Sequence, residues 1–474
     1  MCLKVNKIVS NQKNNSPSEK GELERSLSNR HLQLIAIGGA IGTGLFMGSG
    51  KTISLAGPSI LLIYMIIGFM IFFVMRALGE LLLSNLQYKS FIDFSSDLIG
   101  PWAGYFVGWT YWLCWITIGI ADLSAIIYYL QFFNGGVPFT PEGGVMISIA
   151  AIVFIMGLNL VTVKLFGELE FWFALIKIIA IVVLIAVGLW MIFTGFTSEA
   201  GHVASFSNLW EYNGLFPTGA LGFLAGFQIA IFAFVGVELV GTTAAETKDP
   251  EKNLPKAVNS IPIRIIVFYV LALLVVMSVT PWNTLDPKIS PFVNLFSQAG
   301  IAAAAIIMNL VVLSSVMSSM NSGVFSTSRM LFGLSAEKQG PQLFGKLNSR
   351  AVPANALYFS ALCLLCGAAL QYFVPDTVKA FTLATTLSTV FFICVWLMIM
   401  WSYIVYYKTR PELHAQSKFK LPGGLFTCWV VIIFFVGMIY VLSLEADTFQ
   451  ALKISPLWFV FLIICYFCFY RKRK

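Results

Sequence analysis

Gly38-Gly-Ala-Ile-Gly-Thr-Gly-Leu-Phe-Met-Gly-Ser-Gly50 sets six glycines within thirteen positions of an otherwise apolar run. Each glycine costs a helix about 0.5–1 kcal/mol relative to alanine and bares main-chain amides and carbonyls. Bare main chain is not tolerated against lipid, where nothing satisfies it. The backbone around Gly42, Thr43 and Gly44 is therefore expected to line a polar cavity, one able to hold a small zwitterion. A second helix segment beyond the break would turn unpaired N–H groups and a positive dipole end toward a carboxylate. Close helix packing through Gly44-x-x-x-Gly48 is the alternative use of these glycines. A phosphate-loop reading fails, because Leu45 stands where that motif needs glycine before Gly50-Lys51-Thr52 and no strand precedes it.

Outward from this stretch the chain is apolar almost throughout. Of 474 residues 58% are hydrophobic and 11% charged, with a mean hydropathy of +0.83, which excludes a water-soluble globular protein. Apolar runs of the roughly 20 residues needed to cross a bilayer recur about twelve times: 32–54, 59–83, 101–133, 145–163, 166–193, 220–243, 261–280, 302–334, 354–373, 378–407, 425–444 and 456–470. The expected fold is all-α integral membrane, with a polar leader over 1–30 and a single membrane domain over 31–474. The leader lacks the apolar centre of a cleavable signal. The net charge of +8 reflects topology rather than nucleic-acid binding: with both termini cytoplasmic, most of the 30 basic residues fall on that side, as the positive-inside rule requires.

The sixth run is interrupted as well, at Phe232-Ala-Phe-Val-Gly-Val-Glu-Leu-Val-Gly241. Interrupted first and sixth spans, and unusually long third and eighth ones, imply a five-plus-five inverted repeat. Paired broken helices of that kind point to a transporter with its site near the midplane. Carbonyls freed around Phe232, Ala233 and Val235 would face an ammonium, and Phe232 is large enough to act as a lid.

Ionisable residues at membrane depth are costly and mark function. Lys177, within Phe171-Trp-Phe-Ala-Leu-Ile-Lys-Ile-Ile-Ala180, lies too deep to reach water easily and is a candidate proton carrier. Asp122, Glu238 and Glu80 are gate or supporting candidates, although Glu80, one turn from Arg76, is expected to form an i,i+4 pair with it. The eighth span carries Ser314, Ser315, Ser318, Ser319, Asn321 and Ser322; part of this set, Ser318 and Ser319 foremost, should line the cavity or meet the Lys177 amine. The connector at 248–256, with its mixed charge, Pro250 and Pro255, is expected to be solvated. Cys363/Cys366 and Cys465/Cys468 lie in apolar spans without histidine, and His31, His202 and His414 are scattered. No metal or cofactor site is expected.

With these residues in view, the chain resembles the bacterial amino acid permeases of the amino acid–polyamine–organocation superfamily. The resemblance rests on Leu27-Ser-Asn-Arg-His-Leu-Gln-Leu-Ile-Ala-Ile-Gly38, the glycine run with its extension to Pro58, Gly79-Glu-Leu-Leu-Leu83 and Gly100-Pro-Trp-Ala-Gly-Tyr105. Phe232 to Pro250, Asn259 to Arg264 and Asn321 to Met330 carry it further. It implies twelve spans and proton-coupled uptake of an amino acid across the bacterial inner membrane. It also implies that Ile41, Thr43 and Gly44 take the carboxylate, Phe232, Ala233 and Val235 the amino group, and Lys177 the proton, with Tyr111 near the site. Asp122 stands where many of these permeases carry glutamate. The expected substrates are small neutral amino acids, glycine, alanine and serine including their D-forms, moved with a proton. A permease for a different neutral amino acid, or a passive facilitator or channel, is the alternative, and an enzyme is not expected, since no nucleophile–base pair is evident.

Overall fold

The computed structural model describes residues 41–160, 163–198, 201–242, 249–287, 289–299, 302–374 and 376–470. The leader over 1–30, the first half of the first apolar run and the basic tail from 471 lie outside them. Every element of regular structure described is helical, apart from one isolated bridge between Thr197 and Val203. Ten helices among the described residues are long and apolar enough to cross a membrane, so the protein is multi-pass. Of the expected runs, only the two interrupted ones lack a span of their own: the described end of the first continues into the second within Gly48–Ser84. The described part of the first consists of α1 (Thr43–Phe46) and α2 (Gly48–Ala56), and the sixth survives as the shorter apolar helix Gly219–Phe234.

After α2, a turn at Gly57–Ser59 leads directly into α3 (Ile60–Ser84). Gly57 there has φ 58°, and a Cβ on it would lie 2.4 Å from the Pro217 ring, so both conformation and space call for glycine. The polar stretch 85–99 holds α4 (Phe91–Leu98), opened by a capping box: Ser90 Oγ accepts from Ile92 N, and Asp93 accepts from Ser90 N at 3.0 Å, satisfying donors that a helix start leaves unpaired. There follow α5 (Pro101–Gln131), α6 (Pro141–Asn159) and α7 (Val163–Thr194), then α8 (Gly219–Ala230), a tight 3₁₀ turn over Ile231–Phe234 and α9 (Leu239–Thr242).

The connector expected to be solvated is in fact helical: α10 (Pro250–Asn259) starts on Pro250 and buries Asn253, Leu254, Ala257 and Val258, while Glu251 and Lys252 remain exposed. Proline suits a first turn because that turn's N–H groups have no partner anyway; Pro255 sits farther inside. Beyond it come α11 (Ile261–Ile265), a looser π turn at Ile266–Leu271, α12 (Ala272–Val279) and α13 (Pro291–Gln298). The chain continues through α14 (Ala302–Ala336), α15 (Ala354–Phe373), α16 (Thr377–Thr409), α17 (Pro411–Gln416), α18 (Gly424–Val441) and α19 (Ala446–Cys465), which starts ten residues before the expected run.

The centre of the bundle is α5, packed most extensively against α16 and α14. Most of α5 is buried, which explains why its apolar residues show no single face. By contrast α18 and α19 present Phe426, Ile433, Tyr440 and Leu457 outward, each at least 67% exposed. Such an apolar exterior is stable only against lipid.

Candidate functional site

The backbone breaks where the glycines are densest. Gly42 is extended (φ −125°, ψ −162°) and its carbonyl accepts from Leu45 N and Phe46 N, starting α1 at Thr43. The N–H groups of the first turn therefore point into the break. Met47 remains helical and bonds back to Thr43 O at 2.9 Å, so α1 and α2 continue almost as one rod. The second break follows the 3₁₀ turn: Val235 is extended and Gly236 takes φ 98°, a conformation natural to glycine.

The two breaks touch. A Cβ added to Gly44 would lie 2.6 Å from Ala233 Cα and 2.8 Å from Ala233 N, so only glycine lets the main chains approach this closely. Between them lies a pocket of about 280 Å³, its opening included, lined by Gly42, Thr43, Gly44, Trp115, Ile118, Phe232, Ala233, Val235 and Ser319. None of these side chains is ionisable. Five of the expected substrate-contacting residues, Thr43, Gly44, Phe232, Ala233 and Val235, meet here with Ser319. Ile41 and Tyr111 do not line the pocket. The Ile41 carbonyl accepts from Ser315 Oγ at 3.2 Å, and Tyr111, fully buried, donates to Glu238 Oε1 at 3.4 Å while its ring meets Trp115 edge-on.

Some main-chain acceptors of the second break are engaged within the protein. Tyr269 donates to the Ala233 carbonyl at 2.9 Å, and Val235 N donates to the Phe232 carbonyl at 3.2 Å. Glu238 is wholly buried, its carboxylate accepting from Gly236 N at 3.2 Å, so it braces the turn that Gly236 makes. The Phe232 ring stands at 90° to Phe381, centroids 6.0 Å apart.

Asp122 is buried beside the first break and accepts a hydrogen bond from Thr43 Oγ1. Lys177 is fully buried, its amine donating to Ser318 Oγ at 3.0 Å, so it does not snorkel to a membrane edge. Ser318 in turn donates to Glu170 Oε2 at 2.8 Å, and Asn321 Nδ2 donates to Glu170 Oε1 at 3.0 Å. The Lys177 amine is also close enough to feel the Asp122 carboxylate.

Glu80 corrects an expectation. It does not settle on Arg76 but accepts from Leu421 N and bonds His414 Nδ1, both at 2.7 Å. Arg76 turns instead to the Lys420 carbonyl and to Asn259 Oδ1, its guanidinium 3.8 Å above the Phe419 ring. The segment 410–421 thus supplies partners to both side chains, and the buried Glu80 is satisfied there rather than by Arg76 one turn away. Arg410 adds a bridge to Asp97 at 2.8 Å. Glu80 touches none of the residues that line the pocket.

Gly42 lines the pocket as its glycine run led one to expect, whereas Trp115, Ile118, Glu170 and His414 were not singled out for a role from the sequence. A signal existed for two of them: Tyr111, Trp115, Ile118 and Asp122 are spaced four, three and four apart, one face of a helix. Glu170 is two turns from Lys177 on the same helix.

The chain matches the amino acid permease family over residues 31–474. It is 60% identical to the D-serine/D-alanine/glycine transporter of Escherichia coli (strain K12), over 97% of this chain and 96% of that one. It is 49% identical to the amino-acid permease AapA of Bacillus subtilis (strain 168), over 97% and 98% of the two chains. An uncharacterized transporter of the same organism, YdgF, is 53% identical over 94% and 95%.

Proposed function

Since the chain belongs to the amino acid permease family, we propose that it imports D-serine, D-alanine and glycine together with a proton across the bacterial inner membrane. The observation that carries this reading is the pocket between the two breaks. Thr43 and Gly44 main-chain amides suit a carboxylate, and carbonyls of the Phe232–Val235 turn suit an ammonium. Thr43 and Ser319 hydroxyls, beside Trp115, Ile118 and Phe232, suit a methyl or hydroxymethyl side chain and offer no fixed charge to a longer one. The fold proposed is the twelve-span, five-plus-five inverted repeat forming one membrane domain, both termini cytoplasmic, with the pocket at the repeat interface.

In this reading substrate binds across the two helix ends and Phe232, with Phe381 of α16 against it, covers it from that side. Lys177 carries the proton. Ile41 supports the first break through its bond from Ser315, and Tyr111 holds Glu238 and Trp115 in place. Asp122 couples the two parts, since it contacts Thr43 on the pocket and acts on Lys177 behind it.

Purified protein in liposomes loaded with unlabelled glycine should exchange it for labelled D-alanine, and D- and L-serine should compete while lysine and glutamate should not. Absence of any counterflow refutes the transport reading. Uptake with a linear, unsaturable dependence on concentration would support a passive facilitator instead.

A further inference from the structure

Resting on the proton-coupled reading above, we infer that Glu170 is the station that receives the proton from Lys177 and releases it toward the cytoplasm, with the Ser318 hydroxyl as the bridge.

Three observations carry this. First, the hydrogen bonds form an unbroken line with one sense: Lys177 Nζ donates to Ser318 Oγ at 3.0 Å, and Ser318 Oγ donates to Glu170 Oε2 at 2.8 Å. Second, a carboxylate at this depth is expensive unless it serves a purpose, and Glu170, 1% exposed, is held ready as an acceptor by Ser318 and Asn321. Asn321 is itself oriented by Asn159 Nδ2, which donates to its Oδ1 at 2.8 Å. Third, the main chain at Glu170 lies seven residues nearer the start of α7 than at Lys177, about 10 Å along the axis, the Lys177 side chain reaching back so that one hydroxyl bridges its amine to the carboxylate. That is the end which Lys164 and the positive-inside rule assign to the cytoplasm.

The groups facing Glu170 are few. On its own helix Lys177 is the charged group acting on it; α14 contributes Ser318, Asn321 and Ser322. On the far side of Lys177, toward the pocket, the charged group is Asp122.

The step balances. An N–H bond of the Lys177 ammonium breaks as its proton joins Ser318 Oγ, while the original Ser318 hydroxyl proton forms an O–H bond with Glu170 Oε2. A neutral amine, an intact hydroxyl and a neutral carboxylic acid result. When water reaches the cytoplasmic end of α7, the acid gives up that proton and returns to carboxylate. The amine is left to be recharged from the other side. Separating the two stations lets the proton leave in a conformation in which Lys177 itself is still shielded.

The test uses full-length protein in liposomes, measuring glycine accumulation driven by an inward proton gradient and, separately, glycine counterflow, which needs no net proton movement. Glu170→Gln is expected to lower the initial rate of gradient-driven accumulation by at least about a hundredfold, the lower reach of a lost proton-transfer group, while retaining counterflow. Ser318→Ala should also lose the accumulation, and Ser318→Thr, which keeps a hydroxyl, should restore it; this pair decides the matter if Glu170→Gln does not fold. Wild-type gradient-driven accumulation in both Glu170→Gln and Ser318→Ala, alongside its loss in Lys177→Ala, overturns the relay and leaves the role of Lys177 standing. Accumulation that survives Lys177→Ala overturns both.

Discussion

Gly44→Ala is the sharpest test of the pocket, because the added atom has nowhere to go. Its Cβ would lie 2.6 Å from Ala233 Cα, 2.8 Å from Ala233 N and 3.0 Å from the Phe232 carbonyl carbon, all main-chain atoms. Carbon atoms rest about 3.5–4.0 Å apart, so the two breaks must separate by about 1 Å. No rotamer change can relieve the overlap. Overpacking of this kind costs about 1–3 kcal/mol; borne by the conformation in which the breaks face each other, that lowers affinity about 5- to 150-fold. Equilibrium binding of labelled glycine to purified protein, with counterflow in liposomes, measures it. Gly48→Ala should lose far less, since its Cβ would meet only the Ile229 Cγ2 methyl at 3.0 Å. Gly437→Ala, with no atom within 4 Å, should bind normally and gain up to about 0.5–1 kcal/mol of stability. A detergent melting curve separates lost binding from lost fold. Wild-type glycine affinity in Gly44→Ala would refute the contact between the breaks as the basis of the site.

Other consequences are smaller and separable. His414→Ala leaves the buried Glu80 carboxylate with the Leu421 N–H and should cost about 1–3 kcal/mol, read as a lower melting temperature with substrate affinity unchanged. The Asp97 carboxyl is held below the usual carboxylate range, first by the Tyr88 hydroxyl and, against some burial, by Arg410. Its stabilising contribution is therefore present above the unfolded carboxyl value of about 4 and is lost as pH falls through the lower folded value. Asp97→Asn should accordingly melt below wild type at pH 7 and converge with it in acid. Trp115→Phe removes part of the pocket wall and should let leucine compete with glycine more strongly than in wild type, measured as inhibition of labelled glycine uptake.

Much of the architecture could be read from composition, because a bilayer forces every span into the same long apolar helix. The two spans that do not conform were visible for the same reason: glycine at 38–50, and at 236 and 241, is the residue that breaks that rule. What could not be read was partner choice. Glu80 had Arg76 four residues away, yet its partners come from 334 and 341 residues further along, and only the packed segment 410–421 brings them near. Glu170 passed unnoticed because a carboxylate seven residues inside a helix end reads as interfacial until α14 places Ser318 and Asn321 over it. The 250–259 helix was hidden by its two prolines, one of which is a helix start.

The meeting of Gly44 with Ala233 also limits how this pocket can be retuned. Where Gly44 meets Ala233 the wall is main chain, and main chain offers evolution or an engineer no alternative side chain to try. Variation in what the chamber accepts has to come from the side chains around that contact: Thr43, Phe232 and Val235 at the breaks, and Trp115, Ile118 and Ser319 from α5 and α14. Relatives with different appetites should therefore differ at those positions while sharing the glycine.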